Sequence, residues 1–143
     1  MAIRLQLITL TGIKYDDDVY EVLLPTLDGN IGVLPGHMPL ISVATDGIIS
    51  VRKNEKDPDD FMEHFATHGG VIEIADDTLR ILVDEADHAD EINEQEAQKA
   101  YERAQKMKTE AKDQLSLEQA QSQVDRSAVR LKVAGLKRRN RRV

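Results

Sequence analysis

The placement of glycine and proline divides this chain of 143 residues into two parts. All four prolines and every glycine except Gly135 lie within residues 1–70, whereas residues 71–134 contain neither residue type. Glycine and proline interrupt helices and supply the special backbone angles of tight turns. We therefore expect short segments joined by turns from the start of the chain as far as Val83, and helices in the part that follows Val83.

Short apolar alternations fill the first part of the chain. Ile3, Leu5 and Leu7 alternate with Arg4 and Gln6, which is the period-two pattern of a strand with one buried face. Further segments of this character are 19–26, 31–34, 40–45, 48–52, 61–67, 71–75 and 78–83. Pairs of Gly, Pro, Asp and Asn separate them. The pattern predicts eight to ten short strands in an antiparallel sandwich or barrel.

The residues beyond this region are mostly Ala, Gln, Glu and Lys, which favour helices. Asn93 and Glu96 have the spacing of a capping box, so a first helix should begin near Glu94. Ser116 begins a second sequence of the same type, which predicts a second helix from Leu117. We expect an antiparallel two-helix hairpin with a short connecting loop.

Each predicted helix carries a narrow apolar stripe made mostly of alanine. The stripe of the first helix is Ala97, Ala100, Tyr101, Ala104, Met107 and Ala111, and that of the second is Ala120, Val124, Ala128, Leu131 and Ala134. Alanine buries only about one methyl group, worth roughly 0.8 kcal/mol. A hairpin docked through such stripes is held weakly and is a candidate switch; a rigid pair packed permanently on the sandwich is the alternative.

Charge is distributed unevenly along the chain, whose net charge is −7. Residues 1–90 hold 6 Lys and Arg against 18 Asp and Glu, whereas residues 91–143 hold 13 against 8. The basic excess is concentrated near the C-terminus, in Lys137, Arg138, Arg139, Arg141 and Arg142. This tail is either a solvated terminus or a contact for an acidic protein surface. Nucleic acid is disfavoured as a partner because no aromatic residues interleave with the cations and the rest of the chain is acidic.

The sequence offers no convincing catalytic, metal or cofactor site. There is no cysteine, which excludes thiolate chemistry. His64 and His68 are four residues apart, but on the strand predicted there they would lie ~13 Å apart and could not share a metal ion. The acidic runs 16–18 and 57–60 lack the spacing of a calcium loop, and we interpret them as solvated turn residues. We expect a non-catalytic protein that acts through contacts with other proteins.

Three segments carry a resemblance to a known family. The first is Asp28-Gly29-Asn30-Ile31-Gly32-Val33-Leu34-Pro35-Gly36-His37-Met38-Pro39-Leu40, the second is His68-Gly69-Gly70-Val71-Ile72-Glu73-Ile74, and the third runs from 83 to 93 into the Ala-rich hairpin. Together they resemble, in order and over the whole length, the epsilon subunit of the bacterial F-type rotary ATP synthase.

That resemblance implies a sandwich of about ten strands that joins the gamma subunit to the membrane c-ring, and a mobile hairpin that restrains ATP hydrolysis at the catalytic alpha/beta head. We accordingly expect a rotor-binding domain at 1–86 and a regulatory hairpin at 87–143. The protein would be peripheral to the cytoplasmic face of a bacterial cell membrane, held there through the complex. The residues expected to bind partners are Asn30, Ile31, Gly32, Pro35, Gly36 and His37 on the sandwich, and Arg126, Arg130, Lys137, Arg138 and Arg139 on the hairpin.

The chain departs from the family at one motif. Several members bind ATP through a sequence of the form Ile/Leu-Asp-x-x-Arg-Ala, and the matching residues here are 92–97, with Glu96 in place of the arginine. An acid repels phosphate where an arginine attracts it, so we expect no ATP binding and no other cofactor. The alternative function is a stand-alone β-sandwich binding module whose helical tail mediates oligomerisation.

Overall fold

The computed structural model describes the backbone of residues 1–141 and the side chains of residues 1–136. Ten strands come first: β1 Ile3–Thr9, β2 Gly12–Val19, β3 Glu21–Thr26, β4 Gly29–Val33, β5 Leu40–Val43, β6 Gly47–Arg52, β7 Glu63–His68, β8 Val71–Ala75, β9 Thr78–Leu82 and β10 Glu85–His88. Two helices follow, α1 Glu94–Glu110 and α2 Gln114–Arg141. The predicted β-sandwich with a C-terminal helical hairpin is confirmed.

The strands form two five-stranded sheets, ordered β2-β1-β9-β8-β5 and β10-β7-β6-β3-β4. We call them sheet A and sheet B. Every strand pair is antiparallel except β1 with β9, which is parallel. The prediction of antiparallel strands is therefore correct apart from this pair in the middle of sheet A.

Aliphatic side chains from both sheets fill the space between them. Ile3, Leu5 and Leu7 of β1 are fully buried, as their alternation predicts. The partners from the other strands include Val22, Leu24, Val33, Ile49, Ile72, Ile74, Leu79 and Ile81, each no more than 1% exposed. This layer is the main hydrophobic core, and it determines which residues of each strand face outward.

Two of the ten strands, β2 and β10, were not predicted. The acidic run 16–18 lies inside β2, so its interpretation as a turn was wrong. Pairing with β1 holds the run in a strand, and cations neutralise it: Arg4 Nε lies 2.9 Å from an Asp16 oxygen, and Lys53 Nζ lies 2.8 Å from an Asp17 oxygen. Strand β10 continues to His88, two residues beyond the expected domain boundary.

The two helix starts differ in how well they were predicted. Helix α1 begins at Glu94, and Asn93 caps it by accepting a hydrogen bond from the Glu96 amide at 3.1 Å. Helix α2 begins at Gln114, three residues before the predicted start at Leu117. The reason is that Asp113 accepts the Ser116 amide at 2.7 Å. This bond lowers the pKa of Asp113, as expected for a carboxylate that caps a helix.

The two helices pack against each other through small side chains. Ala97 and Ala104 of α1 are buried, as are Ala120 and Val124 of α2. The predicted stripe on α2 was wrong at Ala128, which is exposed. Ser127 is buried in its place and is 6% exposed. A helix has 3.6 residues per turn, so the buried face continues from Val124 either three or four residues later, and here it continues three residues later.

The second half of α2 packs on the outer face of sheet B, against β7 and β6. Six buried residues form this second cluster, and four of them are alanines: Ala66, Ala89, Ile92, Ala97, Val133 and Ala134. Val133 is fully buried, and it and Ile92 are the two larger side chains among these six; Ile48, Val129 and Leu131 pack against the cluster but stay partly exposed. The apolar area that holds the hairpin is therefore small, as the sequence predicted.

Replacement of Val133 by alanine tests how the hairpin is held. We expect Val133→Ala to destabilise the docked hairpin by about 2 kcal/mol, because two buried methyl groups are lost and a cavity remains. Hydrogen exchange should speed up in the α2 amides and stay unchanged in β1, β8 and β9. Lys132→Ala, at an exposed neighbouring position, is the control. If both variants speed up hydrogen exchange in α2 by the same amount, Val133 does not hold the hairpin on the sandwich.

Candidate functional site

A tight turn connects β4 of sheet B to β5 of sheet A. The His37 amide donates to the Leu34 carbonyl at 3.2 Å, which closes a four-residue turn. Pro35 is the second residue and Gly36 the third, with φ +83° at Gly36. A type II turn requires a positive φ at its third residue and favours proline at its second. The sequence Pro35-Gly36 therefore fixes the direction in which the chain crosses between the sheets.

Further hydrogen bonds hold this turn in place. The Gly36 amide donates to Asp77 Oδ1 at 2.8 Å, from the turn between β8 and β9. His37 Nδ1 lies 2.7 Å from the Met38 carbonyl oxygen. A carbonyl oxygen can only accept, so Nδ1 carries the ring proton. The side chain of His37 is thus tied to the backbone beside it, and the turn is a rigid part of the surface.

Residues predicted to bind partners at this end of the sandwich lie close together in the fold. Asn30 and Gly32 are exposed and Ile31 is half-buried, all on β4 at the edge of sheet B. Gly36 is exposed, while Pro35 and His37 are half-buried. The structure thus presents these six residues as an edge strand followed by a rigid turn.

An exposed apolar row on the outer face of sheet A was not recognised from the sequence. Val43 pairs with Val71, Val71 with Leu82, Leu82 with Ile8, and Ile8 with Ile13. We call these five residues the apolar row; it crosses all five strands. Val43, Val71 and Leu82 are 43–48% exposed and Ile13 is 64% exposed. A continuous apolar strip of this kind on a surface indicates a protein contact.

The sequence signal for the apolar row was weak because each member is a single apolar residue on a different strand. Only strand order and register bring the five together. The row is also continuous with the turn: Ile41 lies two residues before Val43 on β5, on the same face, and is 78% exposed.

On the hairpin, the two predicted arginines contact the chain's own sandwich. Arg126 Nη1 lies 3.2 Å from Glu85 Oε1, and Arg130 forms an ion pair with Asp87. The arginines are four residues apart on α2 and the acids are two residues apart on β10, so both pairs lie in register. We call these two ion pairs the latch. The side chains of Lys137, Arg138 and Arg139, also predicted as contacts, lie outside the described residues.

An open groove of about 530 Å³ lies between the two helices. Four cations and one acid are among the residues that line it: Lys99, Arg103, Arg126, Arg130 and Glu96. Glu96 thus lies in the groove where the resemblance places an arginine. Lys99 and Arg103 could not be recognised from the sequence as part of this groove, because their approach to α2 depends on how the helices pack.

The histidines considered as metal ligands lie on β7, as predicted. His64 Nδ1 is 2.8 Å from Ser50 Oγ, and burial lowers the pKa of His64. His68 Nδ1 is 2.7 Å from an Asp46 oxygen. Within the part of the chain that the structure describes, no group of three or more His, Asp or Glu residues could hold a metal ion. The described helices are also too short or too polar to cross a membrane.

Comparison with known proteins identifies the family. Residues 2–89 match the β-sandwich domain of the ATP synthase delta/epsilon chain, and residues 90–135 match its long α-helix domain. The ATP synthase epsilon chain of Chloroflexus aggregans is 34% identical over 143 residues, which cover 99% of each chain. That of Rippkaea orientalis is 33% identical, over 94% of this chain and 98% of its own.

The fold is also found in a solved assembly. A chain in the Euglena gracilis mitochondrial ATP synthase structure, which contains OSCP, F1 and the c-ring, matches with a TM-score of 0.78 and 22% identity. The match covers 93% of this chain and 81% of that one. The resemblance stated from the sequence motifs is confirmed by these matches. The chain belongs to the ATP synthase epsilon chain family, whose members are subunits of the enzyme and not its catalytic chains.

Proposed function

We propose that this subunit belongs to the central stalk of a proton-translocating ATP synthase, where its sandwich joins the gamma subunit to the c-ring. The observation that carries this proposal is the apolar row, which crosses sheet A and continues through Ile41 toward the Pro35-Gly36 turn. An exposed apolar surface next to a rigid polar turn suits a contact that must transmit torque without slipping. The subunit takes part in ATP synthesis and hydrogen ion transport without catalysing either.

The two parts of this surface suit two different contacts. The apolar row would bury aliphatic side chains against an apolar partner face, which supplies affinity. The corner formed by Asn30 and the turn offers exposed backbone and polar groups, which supply orientation. Attachment through these contacts would hold the protein at the cytoplasmic face of the bacterial cell membrane as a peripheral component.

A double substitution in the apolar row tests the rotor contact. We expect Val71→Lys with Leu82→Lys to weaken binding to the isolated gamma–c-ring complex at least tenfold, because two apolar side chains worth roughly 1.5–3 kcal/mol each when buried are lost. Met107→Lys, at an exposed apolar position on α1, should bind normally. Circular dichroism should show both variants folded. Unchanged binding of the folded double variant would place the contact elsewhere.

The hairpin is proposed to restrain ATP hydrolysis when it leaves the sandwich and contacts the catalytic alpha/beta head. Its dock consists of small apolar side chains and the latch, whose partly exposed ion pairs contribute about 0.2–1 kcal/mol each. A dock of this strength can be exchanged for a competing contact. In the docked state Arg126 and Arg130 are occupied by Glu85 and Asp87, so release would free them together with the basic tail.

This use of the hairpin also accounts for its apolar stripe. Val133 and Ala134 pack on the same chain's sheet B, so in the docked state they present no apolar face for oligomerisation. Coverage of these two residues in the docked state disfavours the alternative function as a stand-alone module whose helical tail mediates oligomerisation.

Neutralising the latch acids should increase inhibition. We expect Glu85→Gln with Asp87→Asn to favour the released hairpin by about 0.5–2 kcal/mol, and so to lower ATP hydrolysis by the assembled enzyme about two- to thirtyfold at low salt. Asp125→Asn, on α2 but outside the latch, is the control. Alanine at Lys137, Arg138, Arg139, Arg141 and Arg142 should reverse the effect. If hydrolysis is equal in all variants, the hairpin is not an inhibitory element.

We expect the isolated protein not to bind ATP with appreciable affinity. Glu96 lies in the inter-helix groove, and two of the four cations there are already paired with Glu85 and Asp87. Calorimetry should therefore detect no binding tighter than about 0.1 mM, or roughly 5.5 kcal/mol. Glu96→Arg should tighten binding at least about tenfold by reversing a charge. Tight binding by the unaltered chain would show that the other groove residues suffice.

A further inference from the structure

Asp77 lies far from the Pro35-Gly36 turn in sequence, yet it accepts a hydrogen bond from the centre of that turn. We propose that Asp77 is a positioning residue for the rotor contact: its carboxylate fixes the crossing turn between the sheets in the orientation that the gamma–c-ring complex binds. This inference rests on the proposed function of the sandwich.

The backbone of Asp77 is in a conformation that requires an explanation. Ala75 pairs with Thr78, so Asp76 and Asp77 form a two-residue hairpin turn, with φ +51° and +56°. Two positive φ values define a type I′ turn, in which Asn-Gly or Asp-Gly is preferred because glycine adopts this conformation without strain. Here the second position is occupied by an aspartate.

The position of Asp77 explains why a side chain is useful there. Its carbonyl accepts the Arg4 amide at 2.9 Å, which ties the residue to β1. Its Oδ1 accepts the Gly36 amide at 2.8 Å. A glycine at 77 would relieve the backbone but remove the acceptor. The aspartate therefore connects the β8–β9 turn, anchored on β1, to the turn that carries the predicted partner-binding residues.

The bond acts on the segment that crosses from one sheet to the other. The turn leaves β4 in sheet B and enters β5 in sheet A, and the two sheets share no backbone ladder at this point. A charge-assisted bond to a backbone amide is about twice as strong as a neutral one. It holds the turn against sheet A, which also carries the apolar row. Both proposed contact surfaces thereby keep one relative orientation.

Three variants separate positioning from simple turn formation. Asp77→Gly keeps the positive φ and removes the acceptor. Asp77→Asn keeps an acceptor oxygen and tolerates positive φ. Asp76→Gly relieves the other strained position and leaves the acceptor in place. Each full-length variant is measured for exchange of the Gly36 amide by NMR, for thermal stability, and for affinity to the gamma–c-ring complex.

We expect Asp77→Gly to speed up Gly36 exchange about tenfold or more and to weaken rotor affinity severalfold without a matching loss of thermal stability. Asp77→Asn and Asp76→Gly should keep affinity within about twofold of the unaltered chain. Unchanged Gly36 exchange in Asp77→Gly, or faster exchange with unchanged affinity, would overturn the inference while the proposed function stands. Failure of the unaltered chain to bind the complex would overturn both.

Discussion

The aliphatic layer between sheets A and B is the constraint on which the other features depend. Because side chains alternate along a strand, burial of Ile72 and Ile81 forces their neighbours Val71 and Leu82 to the outer face. A slip of one residue in β8 or β9 would bury the apolar row and expose the core. The register that stabilises the sandwich is therefore the same register that assembles its proposed contact surface, and the two properties cannot vary independently.

The hairpin packs on the sandwich, but its packing is weaker than that of the main core inside the sandwich. Four of the six buried residues of its dock are alanines, whereas most of the buried residues of the main core are leucine, isoleucine and valine, so each dock residue contributes less burial on average. The latch fixes where α2 lies along β10, because Arg126 pairs with Glu85 and Arg130 pairs with Asp87. A sandwich with a weakly held hairpin would let the two parts act separately, as the proposed function requires: the first would stay bound to a rotor while the second changes partners.

The sequence predicted the parts of the fold that have local signals. Strands with a period-two core face were found, and the Asn93 cap gave the start of α1. Strand β2 was missed because its carboxylates are stabilised by pairing with β1 and by Arg4 and Lys53, which are remote in sequence. The start of α2 was misplaced because Asp113 competes with Ser116 as a cap. The apolar row and the Asp77 bond could not be predicted at all, since both depend on strand order.

The uneven distribution of charge along the chain brings a basic hairpin against an acidic sandwich in the docked state. The sandwich is acidic and the hairpin basic, so docking gains from opposite charges, as would the proposed capture of the hairpin by an acidic head. Salt screens both attractions, because the screening length falls to ~8 Å at physiological ionic strength. The dock, however, also has an apolar contribution from Val133 and its alanine neighbours, which salt does not screen. Rising salt should therefore weaken the latch more than the apolar part of the dock. The apolar cluster therefore holds the hairpin at any salt concentration, while the latch adds an attraction whose strength depends on salt.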